Sequence, residues 1–323
     1  MTAAQDGPVV SVVIVTYNNG ADIGRALRSV HAATARHPRE VVVLDNASAD
    51  DTVERVAEAG GCRVLASPVN LGFARGCNAA AHTARGRYVL LVNPDAVLHP
   101  DAIDAAVDFA EAHPQAGPVG GRTLHPDGSL DPRSCWGRQT LWSTACFATG
   151  LSTALRGSPI FDPEALGGWE RDSVREVGTV TGYFLLLRRA DWLRLGGLDP
   201  TFFMYGDDVD LSERARRIGL RPTVTPDAVS EHEAGASSTS EDRTVMLLRG
   251  RRTLMVTSWA RPRAAAGLAL LRAGVLLRSA AAGDPRWRAA WRRRAEWTAP
   301  YPPVHVSAAD DAATLTPIPD PAQ

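Results

Sequence analysis

The chain has 323 residues and a formal net charge of −1, from 36 acidic and 35 basic side chains. This length allows one large α/β domain with a sizeable buried core. The balanced charge argues against a protein that coats nucleic acid, and none is expected as a partner. The four cysteines show no CxxC or Cys/His spacing, so neither a zinc site nor a disulfide framework is indicated.

Strand and helix patterns alternate over roughly the first 120 residues. Strands are predicted at residues 9–16, 40–45, 62–66 and 87–92, and helices at 22–35, 50–59, 73–85 and 100–112. The first strand is an almost continuous β-branched run, which is typical of a parallel strand buried on both faces. The alternation therefore predicts a doubly wound parallel sheet.

In such sheets ligands bind outside the carboxyl ends of the strands. These ends carry residues 16–18, 45–48 and 93–96, and a further loop, 70–78, leads into the third helix. We expect the four segments to line one crevice. The turn after the first strand, residues 16–20, lacks the GxGxxG of dinucleotide-binding folds, which weakens a dehydrogenase interpretation.

The second half of the chain is less regular. Residues 131–176 are rich in Trp, Gly and Pro without a clear period, 179–188 resemble a buried strand, and 221–229 a short strand and turn. Residues 245–278 and 286–297 have a helical pattern. From Thr298 the tail is rich in Pro and Ala, and we expect it to be disordered.

Three aspartates, Asp207, Asp208 and Asp210, occupy four positions directly after an aromatic run and where a helical pattern begins. Asp207 and Asp208 fall in the first helical turn, where free N–H groups and the helix dipole are expected to keep them ionised. Acids at this position are commonly capping groups. Beside aromatic residues they could also be a general base and its orienting partner. We expect Asp210 to be structural.

Three further residues have both a chemical and a structural interpretation. Asp95 follows the fourth strand, where it could hold Mg²⁺ or Mn²⁺ together with substrate phosphates, or make an Asx-turn. His232 could be a second metal ligand, since imidazole suits Mn²⁺, or a hydrogen-bonded structural residue. Asp45 could face a ribose or base at the end of the second strand, while its loop caps the next helix.

Six motifs, taken in order, resemble those of the inverting nucleotide-sugar glycosyltransferases of family 2, specifically the rhamnosyltransferase-like branch. They are residues 12–18, 43–48, 70–78, 91–95, 182–184 and 203–211. Their order and spacing make the resemblance specific, and it covers about residues 9–240. It implies an α/β fold of the GT-A (Rossmann-like) type, a nucleotide-sugar-binding sheet here followed by a C-terminal helical extension.

The resemblance also implies roles for individual residues. It assigns binding of the donor nucleotide to Thr16, Tyr17, Asn18, Asp45, Asn70, Gly72, Phe73, Asn78 and Asn93. Asp95 corresponds to the last acid of the Asp-X-Asp motif, whose first acid is here Asn93, so binding of Mg²⁺ or Mn²⁺ is expected to be weaker or to lean on His232. Asp208 matches the catalytic base, and Asp207 stands where many relatives have Glu.

The implied reaction transfers a sugar, with inversion, from a nucleotide-diphosphate sugar donor to a hydroxyl of a saccharide or lipid-linked acceptor, in cell-wall or surface polysaccharide biosynthesis. L-Rhamnose from dTDP-rhamnose is the best single choice of donor. A catalytically silent nucleotide-sugar-binding scaffold and a nucleotidyltransferase remain as alternatives. The retained acids and His232 speak against the first, and the absence of a Gly- and Arg/Lys-rich phosphate loop after the first strand speaks against the second.

The predicted division is a catalytic domain, 1–242, with a nucleotide-binding half (1–120) and an acceptor half (121–242), then a helical extension (243–297) and the tail (298–323). The extension contains thirteen arginines and two acids, interspersed with Trp. Such helices can lie on an anionic membrane surface, or pack on the catalytic domain or on a second subunit of a homodimer.

Membrane attachment is expected to be peripheral. The apolar stretch 264–277 contains an arginine and is too short to span a bilayer, and residues 1–8 lack the features of a signal peptide. We therefore expect a cytoplasmic protein that at most lies on the inner face of the membrane.

Overall fold

The computed structural model describes residues 7–232, 240–281, 284–302, 304 and 306–318. The strands in these ranges are β1 (Val10–Thr16), β2 (Arg39–Asp45), β3 (Arg63–Ala66), β4 (Tyr88–Val92), β5 (Ala96–Leu98), β6 (Ala116–Leu124), β7 (Cys135–Trp136), β8 (Arg175–Glu176), β9 (Thr179–Val180), β10 (Phe184–Arg188), β11 (Arg221–His232) and β12 (Thr316–Ile318). The helices are α1 (Gly20–Ala32), α2 (Thr52–Ala59), α3 (Phe73–His82), α4 (Ala102–Ala112), α5 (Leu141–Thr149), α6 (Leu151–Ala154), α7 (Arg189–Leu195), α8 (Asp207–Arg217), α9 (Ser240–Ser258), α10 (Arg261–Ala281), α11 (Pro285–Arg292), α12 (Arg294–Thr298) and α13 (Ala308–Ala313).

A mixed sheet forms the centre of the molecule. In the described residues its strand order is β12-β3-β2-β1-β4-β10-β6-β11-β5, with β8 attached to β11. The strands β3, β2, β1 and β4 are mutually parallel, as predicted, whereas β10 runs antiparallel to both β4 and β6. Alternate residues of β1 pack into different apolar clusters, so its β-branched pattern reflects burial on both faces.

The register brings the predicted loops to one edge. Thr16 at the end of β1 lies beside Asp45 at the end of β2, and Asp45 lies beside Ala66 at the end of β3. Because the carboxyl ends of these parallel strands are level, the segments that follow them meet in space.

The central strand β6 was not predicted, because its sequence contains Pro118 and two consecutive glycines. The structure explains both glycines. A Cβ on Gly120 would lie 2.7 Å from a methyl carbon of Val180, and one on Gly121 would lie 2.1 Å from the carbonyl oxygen of Ala228. Residues that usually indicate a loop are therefore required here by close packing between strands.

The helices α9 to α12 enclose an apolar cluster of their own, which contains Trp297. Among the described residues, α10 is the one helix that is long and apolar enough, by length and composition, to cross a membrane; 28% of its most apolar 18-residue window is buried. The expectation that this segment is too short to span is therefore wrong on length. The helix packs against α5, where a Cβ on Gly274 would lie 2.8 Å from the Cα of Ala148.

The expectation that the tail from Thr298 is disordered is wrong for its described part. Residues 308–313 form α13, and β12 extends the sheet antiparallel to β3. Ser307 caps α13 through its hydroxyl, which accepts from the N–H of Asp310 at 3.1 Å. The order comes from docking against distant parts of the chain, which composition does not reveal.

Candidate active site

Hydrogen bonds between the first two strand-end loops fix their relative position. The N–H of Asn18 donates to the hydroxyl of Ser48 at 2.9 Å, and the side-chain oxygen of Asn18 accepts from the N–H of Ala49 at 2.8 Å. Asn18 has φ of 53° and Ala47 has φ of 66°. Non-glycine residues in this strained region cluster at functional sites, so the two loops are candidates for ligand contact.

Within these loops the predicted nucleotide-binding residues differ in whether their side chains are available to a ligand. Asp45 is almost fully buried, and its Oδ2 accepts from the N–H of Ser48 at 3.1 Å, but its buried Oδ1 has no partner. Tyr17 is 43% exposed, so its ring is available to a ligand. Thr16 is fully buried and its hydroxyl lies 3.4 Å from the side-chain oxygen of Asn19, so it supports the turn.

Asn46 fastens the loop that contains Asn70 and Gly72. Its Nδ2 donates to the side-chain oxygen of Asn70 at 3.0 Å and to the carbonyl of Gly72 at 3.2 Å, and its Oδ1 accepts from the N–H of Leu71 at 2.8 Å. Gly72 has φ of 79°, and a Cβ there would lie 2.5 Å from the carbonyl oxygen of Phe203. We call residues 70–73 the donor loop.

The structure gives Asn78 a different role from the one implied by resemblance. Its Nδ2 donates to the carbonyl of Leu198 at 2.7 Å, and its Oδ1 accepts from the N–H of the same residue at 2.9 Å. Because the backbone of Leu198 uses its buried amide, Asn78 attaches α3 to the segment before Asp207 and Asp208. We therefore leave it out of the proposed nucleotide site.

Asp95, His232 and Asp131 form a second group. His232 Nε2 lies 3.2 Å from Asp95 Oδ2, and its Nδ1 lies 3.2 Å from Asp131 Oδ2. Arg133 donates to both oxygens of Asp131, through Nε at 2.7 Å to Oδ1 and Nη2 at 2.7 Å to Oδ2. The Tyr183 ring packs on the imidazole, with centroids 4.6 Å apart.

The charges in this group support one another. Burial would lower the pKa of His232, but hydrogen bonds to Asp131 and Asp95 outweigh it and raise that pKa. Burial likewise opposes ionisation of Asp131, yet hydrogen bonds from His232 and Arg133 hold its pKa below the usual range. Asp131 thus orients His232, a role that no sequence pattern indicated.

Asp207 and Asp208 begin α8, as predicted. Asp208 is partly exposed, and its Oδ1 accepts from the N–H of Val209 at 2.8 Å; the backbone of Gly182 also hydrogen-bonds to it. Asp207 is buried, and its Oδ2 has no partner. The predicted single strand 179–188 is interrupted here, between β9 and β10, so that Gly182 can face Asp208.

Backbone contacts bring this pair to the other two groups. The N–H of Asn93 donates to the carbonyl of Tyr183 at 3.1 Å, which links the Asp95 loop to the residue after Gly182. The N–H of Phe73 donates to the carbonyl of Phe203 at 2.8 Å, which links the donor loop to the segment before Asp207. The side chain of Asn93 makes no hydrogen bond within the described part of the chain.

Burial opposes the ionisation that the helix N–H groups were expected to favour at both aspartates. Burial raises the pKa of Asp207 well above its ordinary value, and repulsion from Asp208 raises it further. Burial also raises the pKa of Asp208, against backbone hydrogen bonds that lower it. Asp210 is structural, as predicted, since its Oδ2 accepts from Arg214 Nε at 2.5 Å.

The donor set at Asp95 fits a divalent cation that is held mainly by its substrate. The buried Asp95 Oδ1 has no partner, so one carboxylate oxygen is available. The described residues contain no group of three or more His, Cys, Asp or Glu arranged to hold a metal. Mg²⁺ and Mn²⁺ are commonly bound by one or two carboxylates together with substrate phosphates. His232 Nε2 could become a ligand of this cation only if it gave up its contact with Asp95.

Sequence reasoning missed Asp131, Arg133, Asn46 and Tyr183. Asn46 and Tyr183 lie inside the quoted motifs, so their positions were indicated although their roles were not. Asp131 and Arg133 lie in the irregular segment, and only the fold brings them to His232.

Comparisons with known proteins identify the family and the relatives of this chain. The family model described as glycosyl transferase family 2 matches residues 11–174. The N-acetylglucosaminyl-diphospho-decaprenol L-rhamnosyltransferase of Mycobacterium tuberculosis (strain ATCC 25618 / H37Rv) is 31% identical over 261 residues, which are 72% of this chain and 78% of that protein. The O-antigen biosynthesis protein RfbC of Myxococcus xanthus is 29% identical over 71% of this chain but only 18% of its own length.

Solved structures share the fold at lower identity. The mannosyltransferase PcManGT from Pyrobaculum calidifontis, in complex with GDP-Man and Mn²⁺, has a TM-score of 0.53 at 20% identity and covers 90% of this chain and 85% of its own. TarS 1-349 of S. aureus, in complex with UDP-GlcNAc, has a TM-score of 0.51 at 17% identity and covers 90% and 81%.

Proposed function

Since the chain belongs to glycosyl transferase family 2 and is a glycosyltransferase with the predicted GT-A fold, we propose that it moves L-rhamnose from dTDP-rhamnose to a lipid-linked saccharide, with inversion. The relative from Mycobacterium tuberculosis, whose name gives this sugar and an N-acetylglucosaminyl-diphospho-decaprenol acceptor, supports the choice. The observation that carries the mechanism is the partly exposed Asp208 beside Gly182, next to the Asp95 group.

In the proposed reaction Asp208 is the general base. An acceptor hydroxyl is too weak an acid to ionise alone, so Asp208 takes its proton while the oxygen attacks the anomeric carbon from the face opposite the diphosphate. One displacement inverts the anomeric configuration. Asp207, buried with a raised pKa, lies beside the base.

The donor nucleotide is proposed to lie across the loops after β1, β2 and β4. Asp45 Oδ1, buried without a partner, is placed to accept from the nucleoside, and the exposed ring of Tyr17 can pack against it. Asp95, with His232 beside it, would hold Mg²⁺ or Mn²⁺. When bound, the cation would stabilise charge on the departing diphosphate.

The test of the donor is binding, followed by transfer. We expect dTDP-rhamnose to raise the melting temperature more than UDP- or GDP-sugars do, because a ligand specific for the folded state stabilises it. Incubation with N-acetylglucosaminyl-diphospho-polyprenol should then give a rhamnosylated product of inverted configuration, measured by NMR. Stabilisation by no nucleotide sugar would contradict the donor site. Binding without transfer to any hydroxyl acceptor would favour the silent scaffold.

Membrane contact is proposed to bring this site to its lipid-linked acceptor. On α10, Leu276 is 43% exposed and Leu277 is 55% exposed. Trp142, in α5, is also exposed, as is Ile160, whose carbonyl accepts from the Trp142 indole; α5 packs on α10. The excess of arginine in residues 243–297 complements an anionic surface. We therefore propose a peripheral location on the inner face of the membrane.

A further inference from the structure

The C-terminal segment returns across the molecule to the donor side of the sheet. In β12, Thr316 pairs with Ala66, at the carboxyl end of β3. Ala312 and Leu315 pack against the apolar cluster that contains Ala79 and Ala80 of α3. We call residues 306–318 the strap. The strap covers an edge strand and one face of α3, so it is part of the catalytic domain's own packing.

A buried ion pair joins the strap to α3. Arg75 Nε donates to Asp311 Oδ2 at 2.9 Å, and its Nη2 donates to Oδ1 at 2.5 Å. The Asp311 side chain is 5% exposed and that of Arg75 is 25% exposed. A bidentate pair fixes orientation as well as distance. Arg75 lies in the first turn of α3, where the helix dipole disfavours a cation, and the Asp311 carboxylate offsets that effect.

The helix that the strap holds also begins at the donor loop. Phe73, its first residue, donates its N–H to the carbonyl of Phe203, and the preceding carbonyl of Gly72 accepts from Asn46. A shift of the first turn of α3 would therefore move the donor loop. Arg75 is two residues from Phe73, in the same turn.

The residues that lead to the strap also contact the segment before Asp207. The Tyr301 hydroxyl lies 3.4 Å from the carbonyl of Met204, and the Arg249 guanidinium lies 4.0 Å from the Tyr301 ring centroid. Arg249 also donates to the carbonyl of Pro300 at 2.8 Å. The chain is thus fastened beside Met204 before it reaches α3.

We propose that Arg75 and Asp311 are positioning residues for the donor nucleotide: by locking the strap onto α3, they set the geometry of the donor loop. This inference rests on the proposed donor site. Neither residue touches the substrate, and both act through α3. The strap therefore controls affinity for the nucleotide and leaves the chemistry at Asp208 unchanged.

The test compares Asp311→Asn and Asp311→Glu with Glu176→Gln, which removes one partner of an exposed ion pair, 2.8 Å from Arg221. We expect Asp311→Asn to raise KM for dTDP-rhamnose about tenfold, with kcat per folded molecule within about twofold of wild type. Asp311→Glu, which keeps the carboxylate, should recover most of the affinity. Glu176→Gln should leave KM unchanged. An unchanged donor KM, with kcat falling in proportion to folded protein, would show a merely structural pair.

Amide hydrogen exchange separates this inference from the choice of donor. In the absence of nucleotide, Asp311→Asn should speed exchange in residues 73–78 and leave the amides of β1 and β2 as in wild type. Unchanged exchange in residues 73–78 would overturn the inference. A wild-type protein that does not bind dTDP-rhamnose would instead contradict the donor proposal, while the exchange result still decides whether the strap holds α3.

Discussion

Asp207 and Asp208 place two carboxyl groups at the start of one helix, where burial, mutual repulsion and backbone hydrogen bonds all act on their pKa values. Burial raises the pKa of both, and repulsion from Asp208 raises that of Asp207 further. Backbone hydrogen bonds at the first turn oppose this for Asp208. A raised pKa brings a carboxylate closer to the working pH, where a general base is most effective.

The pH dependence of turnover should report this arrangement. The base must be deprotonated, so kcat/KM should rise with pH through the pKa of Asp208, with a limb above the ordinary Asp value of about 3.9. Asp208→Asn should remove this limb from the activity that remains, because the group that titrates is gone. The exposed Asp172→Asn is the control and should not move it. A limb at the ordinary value in wild type would contradict the account.

The free energy of unfolding should change with pH in the opposite direction to turnover. A carboxyl whose folded pKa is raised contributes stability at low pH, and this contribution is lost as pH rises through the folded pKa. The free energy of unfolding of wild type should therefore fall more between pH 4 and neutrality than that of Asp207→Asn, as measured by urea denaturation. Equal slopes for the two proteins would show that folding does not raise the pKa of Asp207.

Asp95 is the residue that we propose as the protein ligand of the cation. We expect EDTA to abolish transfer and Mg²⁺ or Mn²⁺ to restore it, and Asp95→Ala to reduce turnover at least about a hundredfold. Asp227→Ala, on an exposed position of β11, should be near wild type. Full activity in EDTA would argue against a cation at this site.

Among the elements, the donor loop depends on the glycine that precedes α3. Gly72→Ala should be unfavourable for two reasons. Its positive φ with extended ψ is a conformation essentially restricted to glycine, and the new Cβ would clash with the Phe203 carbonyl oxygen. We expect the backbone strain alone to cost about 1 to 3 kcal/mol of stability, measured by urea denaturation. Nucleotide binding, measured by titration, should also weaken. Gly128→Ala also has positive φ but open space around it. It should leave binding intact; equal binding by both variants would contradict the account.

The elements differ in how far sequence could predict them. The strands β1 to β4 were predicted because their β-branched and apolar runs reflect burial within a parallel sheet. The strand β6 was missed because its glycines are required by contacts with Val180 and Ala228, which are distant in sequence. The strap was missed for the same reason: its order depends on β3 and Arg75. Within the site, motifs identified the acids, but only the fold shows that Asp131 orients His232.

At the scale of the whole molecule, the helical extension gives the protein a polarised surface. Thirteen arginines and two acids occupy residues 243–297, and α10 presents Leu276 and Leu277 to solvent. In the proposed membrane contact, these apolar side chains would enter the interface, and each arginine near an anionic headgroup would contribute about 1 kcal/mol. The proposed donor site, by contrast, lies at the strand ends.

Liposome flotation of the full chain tests this surface. Wild type should float with phosphatidylglycerol vesicles, less so at high salt, and the double variant Leu276→Glu, Leu277→Glu should not. Leu193→Glu alters a leucine that is 58% exposed on α7, away from the extension, and should float like wild type. Equal flotation of the double variant and wild type would remove α10 as the membrane surface.

The central claim is that Asp208 is the base of a sugar transfer for which the donor site is otherwise complete. The most direct test measures nucleotide binding and turnover of Asp208→Asn in the same preparation. The asparagine keeps the shape of the helix start but cannot take a proton, so we predict dTDP-rhamnose affinity within about threefold of wild type and turnover at least about a hundredfold lower. Near-normal turnover would contradict the account.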